Sequence, residues 1–300
     1  MKKAEWLECI TCRDERLIKR LKSFEGSLAK CTECGLIFRN PKPSYETIKE
    51  YYKDDYSNIF LEEQTKNYRK GIFRHFLAPS IKDKGEGRLL DVGSGYGIFL
   101  SLAKDLGWEV YGIELSEDAC QFARKNFGLN VFCGDLEEAS FPKDHFDVVT
   151  LWNVLDHTTN PLEQLLEIKQ ILKDNGLLFI RLPNFLFQGK SRCIGEAFDR
   201  LFFGHTNLSR KISVSHLYAF TPSSIANLLE RAGFSTFRLK NSPPAKGDPY
   251  CAFPFLGDIL LNWIKNSFFI SCELLYHLSL GKILWGPSME VFASKKEQKF

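Results

Sequence analysis

From residue 86 onward the chain alternates short apolar runs with segments long enough to be helices. The runs are RLLDVG, WEVYGIE, NVFCGD, FDVVTLWN and GLLFIRLP. Between them GIFLSLAKDLG, EDACQFARKNFG and PLEQLLEIKQILKDNG have amphipathic spacing, each with Gly just past its end. Strands that are apolar on both faces need helices on both sides, so the pattern predicts a parallel α/β sheet rather than a sandwich or a bundle.

The first run delivers Asp91 to the end of a strand, and LLDVGSGYGIFL then places Gly93, Gly95 and Gly97 where the chain must turn into a helix. Glycines at such a turn let backbone approach a ligand closely. The dinucleotide fingerprint GxGxxG needs Gly at position 98, and Ile98 stands there. The second strand ends in Glu114, suited to the two hydroxyls of a ribose, and the third in CGDLEE, where Asp135 is able to accept from an adenine amino group. Three successive acids would repel a pyrophosphate. They suit a cationic, adenosine-containing ligand without phosphates.

These blocks, with VYGIELSEDACQFA, the segment from Val131 to Asn184 and HLYAFTPSSIANLLERAGF, resemble class I S-adenosylmethionine-dependent methyltransferases over roughly residues 86–240. The resemblance implies a Rossmann-like, seven-stranded, mostly parallel sheet with its last strand antiparallel. It implies that Asp91 and the loop Gly93, Ser94, Gly95, Tyr96 and Gly97 contact the methionine part of the donor. Glu114 would then hold the ribose, Leu115 and Leu136 flank the adenine, and Asp135 meet its amino group. Trp152 and Asn153 would lie beside the methyl group, with Tyr96 or Trp152 offering cation–π attraction to the sulfonium.

Methyl transfer demands alignment first, and a base only for a hydroxyl or carbon acid. His157 and His216 are the candidate bases. Ubiquinone-pathway O-methyltransferases are similar at strand four, where an acid, an acid and a His bind a metal. Here those positions read Asn153, Asp156 and His157, which speaks against a catalytic metal. His216 in SHLYAF resembles an HxxxF element of sugar C-methyltransferases, which also carry an N-terminal four-Cys zinc domain.

Cys9, Cys12, Cys31 and Cys34 form CxxC, eighteen residues, CxxC, the spacing of a structural zinc site. Four thiolates leave no open coordination position, so the metal is expected to staple a ribbon over residues 1–43 and help select the acceptor. The other five of nine cysteines show no framework spacing, and no signal-like run precedes the first charges; a cytoplasmic setting is expected. No run reaches the ~18 apolar residues of a spanning helix. Net charge +3 is too small for a nucleic-acid partner held by phosphate neutralisation.

Residues 44–85 read as a helical lead-in of two helices, the first capped by Ser44. The core covers 86–240, interrupted at 185–211 by a basic insertion with His205, Lys190, Arg192, Arg200, Arg210 and Lys211. Residues 241–300 read as an apolar helical extension and a final strand. From Ile259 to Leu278 the apolar residues share one broad helical face, fit for a cap over the acceptor, a homodimer contact or a peripheral membrane contact. The expected activity is transfer of a methyl group to oxygen of a small-molecule, sugar or lipid-linked acceptor. The alternatives are a quinone-type O-methyltransferase, a sugar C-methyltransferase, and a nucleic-acid-binding or cofactor-sensing protein without catalysis.

Overall fold

The computed structural model describes residues 9–13, 18–21, 28–44, 46–48, 69–80, 87–188, 216–246 and 257–296. The chain divides into two compact units. One comprises residues 1–42, 182–228 and 239–290, and the other residues 43–181, 229–238 and 291–300. Most of the predicted lead-in (49–68) and insertion (189–211, with its His and basic residues) lies outside the described residues.

The frame is a seven-stranded sheet of order β10-β11-β8-β7-β4-β5-β6. Its strands are β4 (Arg88–Val92), β5 (Glu109–Glu114), β6 (Asn130–Cys133), β7 (Phe146–Trp152), β8 (Leu172–Pro183), β10 (Thr236–Asn241) and β11 (Ser288–Ser294). The pairs β4 with β5, β4 with β7, β5 with β6 and β7 with β8 are parallel, as the doubly apolar runs require. Helices α2 (Ile98–Asp105), α3 (Glu117–Phe127) and α5 (Pro161–Ile171) connect these strands, and the short α4 (Leu136–Ala139) follows β6. Ser116 caps α3 by accepting from the Ala119 amide at 3.4 Å, and Gly128, at φ 58°, ends it.

One helix is shorter than its periodicity predicts. The segment PLEQLLEIKQILKDNG was expected to be helical up to Gly176, yet α5 stops at Ile171 and the next residue, Leu172, already pairs with Phe146. Sheet pairing outweighs local helix preference there.

Much of the Phe content fills the core of this unit. Trp152 has Phe73 and Phe76 of α1 (Lys70–Ser80), Phe99 and Phe179 with ring centroids at 4.8, 5.5, 5.1 and 4.7 Å. Phe76 is 2% exposed and also meets Phe292 of β11.

The other unit holds a second sheet of order β1-β2-β3-β9, with β1 (Ile18–Leu21), β2 (Leu28–Cys31), β3 (Ile37–Arg39) and β9 (Tyr218–Ala219). Strand β9 comes from far along the chain and pairs antiparallel with β3. Directly after it Thr221 begins α6 (Pro222–Arg231). Buried Asn184 ties the same unit together, donating to the Leu284 and Gly286 carbonyls at 3.2 and 3.0 Å and accepting from the Leu186 amide at 3.1 Å. The predicted apolar extension is the helix α7 (Asp258–Leu278).

Candidate active site and four-cysteine cluster

The glycine loop links β4 to α2. Gly93 and Ser94 donate to the Ile113 carbonyl at 2.8 and 2.9 Å, which folds the loop back over β5. Gly93 (φ 72°) and Gly97 (φ 78°) occupy left-handed conformations. A Cβ at Gly93 would lie 2.5 Å from Val154 Cγ2, and one at Gly97 would lie 2.6 Å from Leu129 Cδ1. Both conformation and space therefore demand glycine. Tyr96, 2% exposed, is held edge-on to Phe122 at 5.2 Å.

Two carboxylates lie under this loop. Asp91, 2% exposed, accepts from the Thr150 hydroxyl at 2.6 Å. Burial pushes its pKa up to about 8; the Thr150 bond acts in the opposite direction, and the Glu114 charge adds to the rise. Glu114 is 5% exposed and clamps two backbone turns, accepting from the Gly95 amide at 2.7 Å and the Ser116 amide at 2.9 Å. Burial raises its pKa too, against those backbone bonds. No cation features among the causes acting on either group. The pair is a ready counter-charge for a cationic ligand.

Asp135 stands past the end of β6 as the N-cap of α4, its Oδ1 accepting from the Glu138 amide at 2.9 Å in a capping box. Leu136 is buried and Leu115 half-buried. At the end of β7 Asn153 takes φ 56°, a conformation Asn tolerates better than most residues, and its Oδ1 accepts from Arg181 Nη1 at 2.9 Å. Beyond it Asp156, 1% exposed, approaches His157 Nε2 with Oδ2 at 3.8 Å. His216 belongs to the other unit, two residues before β9.

Thr150, Ser116 and Arg181 carry three of these contacts without having been expected from the sequence. Asp91 lies beside Thr150, and Trp152 beside Arg181, in the strand register. A single sequence does not fix that register.

The residues fit a bound S-adenosylmethionine on two observations. Ser94 Oγ and Trp152 Nε1 are buried polar atoms with no hydrogen-bond partner among the described residues, and such atoms are costly unless a ligand or water meets them. The second is the pair of buried acids, with no cation among the described groups acting on them.

The four cysteines come together in the other unit, with their sulfur atoms all within 4.8 Å of one another. Cys9 and Cys34 sulfurs are 3.7 Å apart, close to the ~3.8 Å edge of a tetrahedron with ~2.3 Å metal–sulfur bonds. Thr11 Oγ1 lies 3.0 Å from Cys9 Sγ and 2.8 Å from Cys34 Sγ. The contact with Cys34, and then Thr11, lowers the Cys9 thiol, while the same contact raises Cys34. Four soft donors gathered this closely, three of them in buried residues, suit Zn²⁺. The Cys34 carbonyl accepts from the Thr221 hydroxyl at 2.8 Å and the Ser223 hydroxyl at 3.0 Å, so the cluster is braced by the start of α6.

A family model described as a methyltransferase domain matches residues 60–238. The chain belongs to the methyltransferase family. A ubiquinone biosynthesis O-methyltransferase of Glaesserella parasuis is 35% identical over 128 residues, 37% of this chain and 54% of that protein. One from Coxiella burnetii is 26% identical over 174 residues, 55% of this chain and 74% of that protein. The methyltransferase thus spans about half the length of the first of these relatives. A solved S-adenosylmethionine-dependent methyltransferase from Archaeoglobus fulgidus has a TM-score of 0.53 at 22% identity, covering 80% of this chain and 100% of its own. A phosphoethanolamine N-methyltransferase from Haemonchus contortus has a TM-score of 0.53 at 16% identity, covering 93% of this chain and 71% of its own. At such identities the likeness concerns the fold. The matched residues form a methyltransferase domain, and the chain is an enzyme of that family.

Proposed function

We propose that this methyltransferase transfers its methyl group to an oxygen of a small-molecule, sugar or lipid-linked acceptor, with His157 as the base. The observation that carries the proposal is buried Asp156 set 3.8 Å behind His157 Nε2, just past the end of β7. An acid behind a histidine orients the ring and favours the imidazolium that forms when it takes a proton. A hydroxyl acceptor needs such a base, whereas an amine deprotonated in solution does not. The ubiquinone-type relatives, named for O-methylation, favour the same atom.

When bound, S-adenosylmethionine supplies an electrophilic methyl group on a sulfonium. Asp91 and the loop Gly93–Gly97 would hold its methionine part and Glu114 its ribose, while Leu115, Leu136 and Asp135 would receive the adenine. Trp152 and Asn153 would face the reacting end, with Asn153 fixed by Arg181. With Nε2 turned to Asp156, His157 Nδ1 would take the proton of the acceptor hydroxyl. The four cysteines hold a structural Zn²⁺ and supply no reacting group.

A sugar acceptor is the second reading. It is favoured by the four-cysteine cluster together with His216 beside β9, the strand that completes the ribbon sheet.

The test is turnover with phenolic and sugar hydroxyl acceptors for wild type, His157→Ala and His216→Ala. Loss of about 10²–10⁴-fold in kcat for His157→Ala, with donor affinity unchanged, is the expected result. Full turnover in that variant would sink the base assignment. Loss confined to His216→Ala would move the assignment to the second reading.

A further inference from the structure

The helix α7 turns an apolar surface to solvent. Its inner edge is Leu261, Cys272 and Tyr276, all buried. At about 100° per residue the opposite side carries Ile259, Trp263, Ile270, Leu274 and Leu278. These are 89%, 68%, 66%, 59% and 73% exposed, where an ordinary amphipathic helix would place charged residues. Across the outer half-circumference no Asp, Lys or Arg occurs; His277 shares the angle of Ile259, Asn266 stands near one side of the arc, and Glu273 lies at its margin. Ser271, also on that side, donates back to the Ser267 carbonyl at 3.0 Å, so its hydroxyl is already satisfied.

The roll of the helix is fixed. Tyr276 donates to the Leu239 carbonyl at 2.8 Å, and Asn241 donates to Glu273 at 2.9 Å and to the Cys272 carbonyl at 3.3 Å. Lys265 donates to the Ala245 carbonyl. Those contacts hold the polar flank inward and keep the apolar side out. A monomer rarely leaves so large a patch uncovered.

We propose that α7 lies in the surface of an anionic lipid bilayer, parallel to it, and attaches the enzyme there. Charge favours this occupant. The unit containing α7 has nineteen Lys and Arg against twelve Asp and Glu, whereas the other unit is net acidic; the chain's +3 conceals a basic lobe. Such a lobe is drawn to anionic headgroups, and repels a second copy of itself. The apolar arc is wider than the narrow stripe of a single helix–helix contact and matches a helix half-immersed in an interface. Trp263, near the middle of the arc, is of the type that settles at headgroup depth. Among the described residues no helix is long and apolar enough to cross a membrane, so α7 lies on the bilayer.

The test is flotation of the full chain with phosphatidylcholine vesicles containing phosphatidylglycerol, beside vesicles of phosphatidylcholine alone. Wild type should float with the first far more than with the second. Ile270→Glu and Leu274→Glu should each lower the partition coefficient by about tenfold or more, with unchanged melting temperature and donor binding. Trp263 emission should shift to the blue on vesicle addition, a shift lost in Trp263→Phe. Failure to float with either vesicle would overturn the proposal. So would a dimer in sedimentation that Ile270→Glu dissociates, because the apolar side would then belong to a second copy. Equal flotation with both vesicles would overturn the anionic surface.

Discussion

Donor binding by this enzyme should be coupled to release of a proton from Asp91. In the free protein burial holds that carboxyl at about 8, so at neutral pH it is mostly protonated. A bound donor presents a cation and favours the carboxylate, so binding drives the proton off. For one such proton the apparent Kd is multiplied by 1 + 10^(pKa − pH), about 100 at pH 6 and about 4 at pH 7.5. Affinity should thus rise roughly 25-fold across that range, about 1.9 kcal/mol. The donor's own amino group begins to titrate near ~8, which sets the upper end of the usable window. Calorimetry in buffers of different ionisation enthalpy should count close to one proton released per site below pH 7. In Asp91→Asn the affinity should be weaker and the proton count smaller by one. A wild-type Kd that is flat from pH 6 to 7.5, or a proton count that Asp91→Asn leaves unchanged, would refute the reasoning. The ligand-free protein should show the opposite trend. A folded pKa above the unfolded ~4 means that the native state keeps a proton the unfolded chain has lost, so stability falls as pH rises from ~4 to about 8. The donor-induced gain in Tm should grow over the same interval.

Two further outcomes follow from the turn and the cluster. Gly97→Ala places a side chain at φ 78° and 2.6 Å from Leu129 Cδ1, so it should cost about 1–2 kcal/mol from conformation alone, with further loss from the contact. A thermal melt and donor titration would measure it, and unchanged Tm would contradict the tight packing of this loop. Cys31→Ser, or chelation of the wild type, should release about one Zn²⁺ per chain and raise protease sensitivity around residues 9–39, while Asp91-dependent donor binding persists. A metal-free protein with undiminished resistance to proteolysis would remove the structural role given to the cluster.

The strands β4 to β8 and the glycine turn were legible because buried parallel strands leave unbroken apolar runs and because positive φ selects glycine. The end of α5 was not, since Leu172 is claimed by Phe146 across the sheet and its own neighbours do not record that pairing. Asp91 could be singled out as a strand-end acid, yet its partner Thr150 depends on register. The two-residue β9 joins the sheet of β1, β2 and β3 only through pairing with β3, far away in sequence. In α7 the periodicity showed which residues share a face; it did not show that the face points outward, because that follows from contacts of Tyr276, Glu273 and Lys265 with separate segments.

The most direct measurement of the central claim is calorimetric titration of the protein with S-adenosylmethionine beside NAD. The buried acids, the non-dinucleotide glycine loop and the family membership predict one S-adenosylmethionine bound per chain and no heat from NAD. Binding of NAD without S-adenosylmethionine would contradict the account.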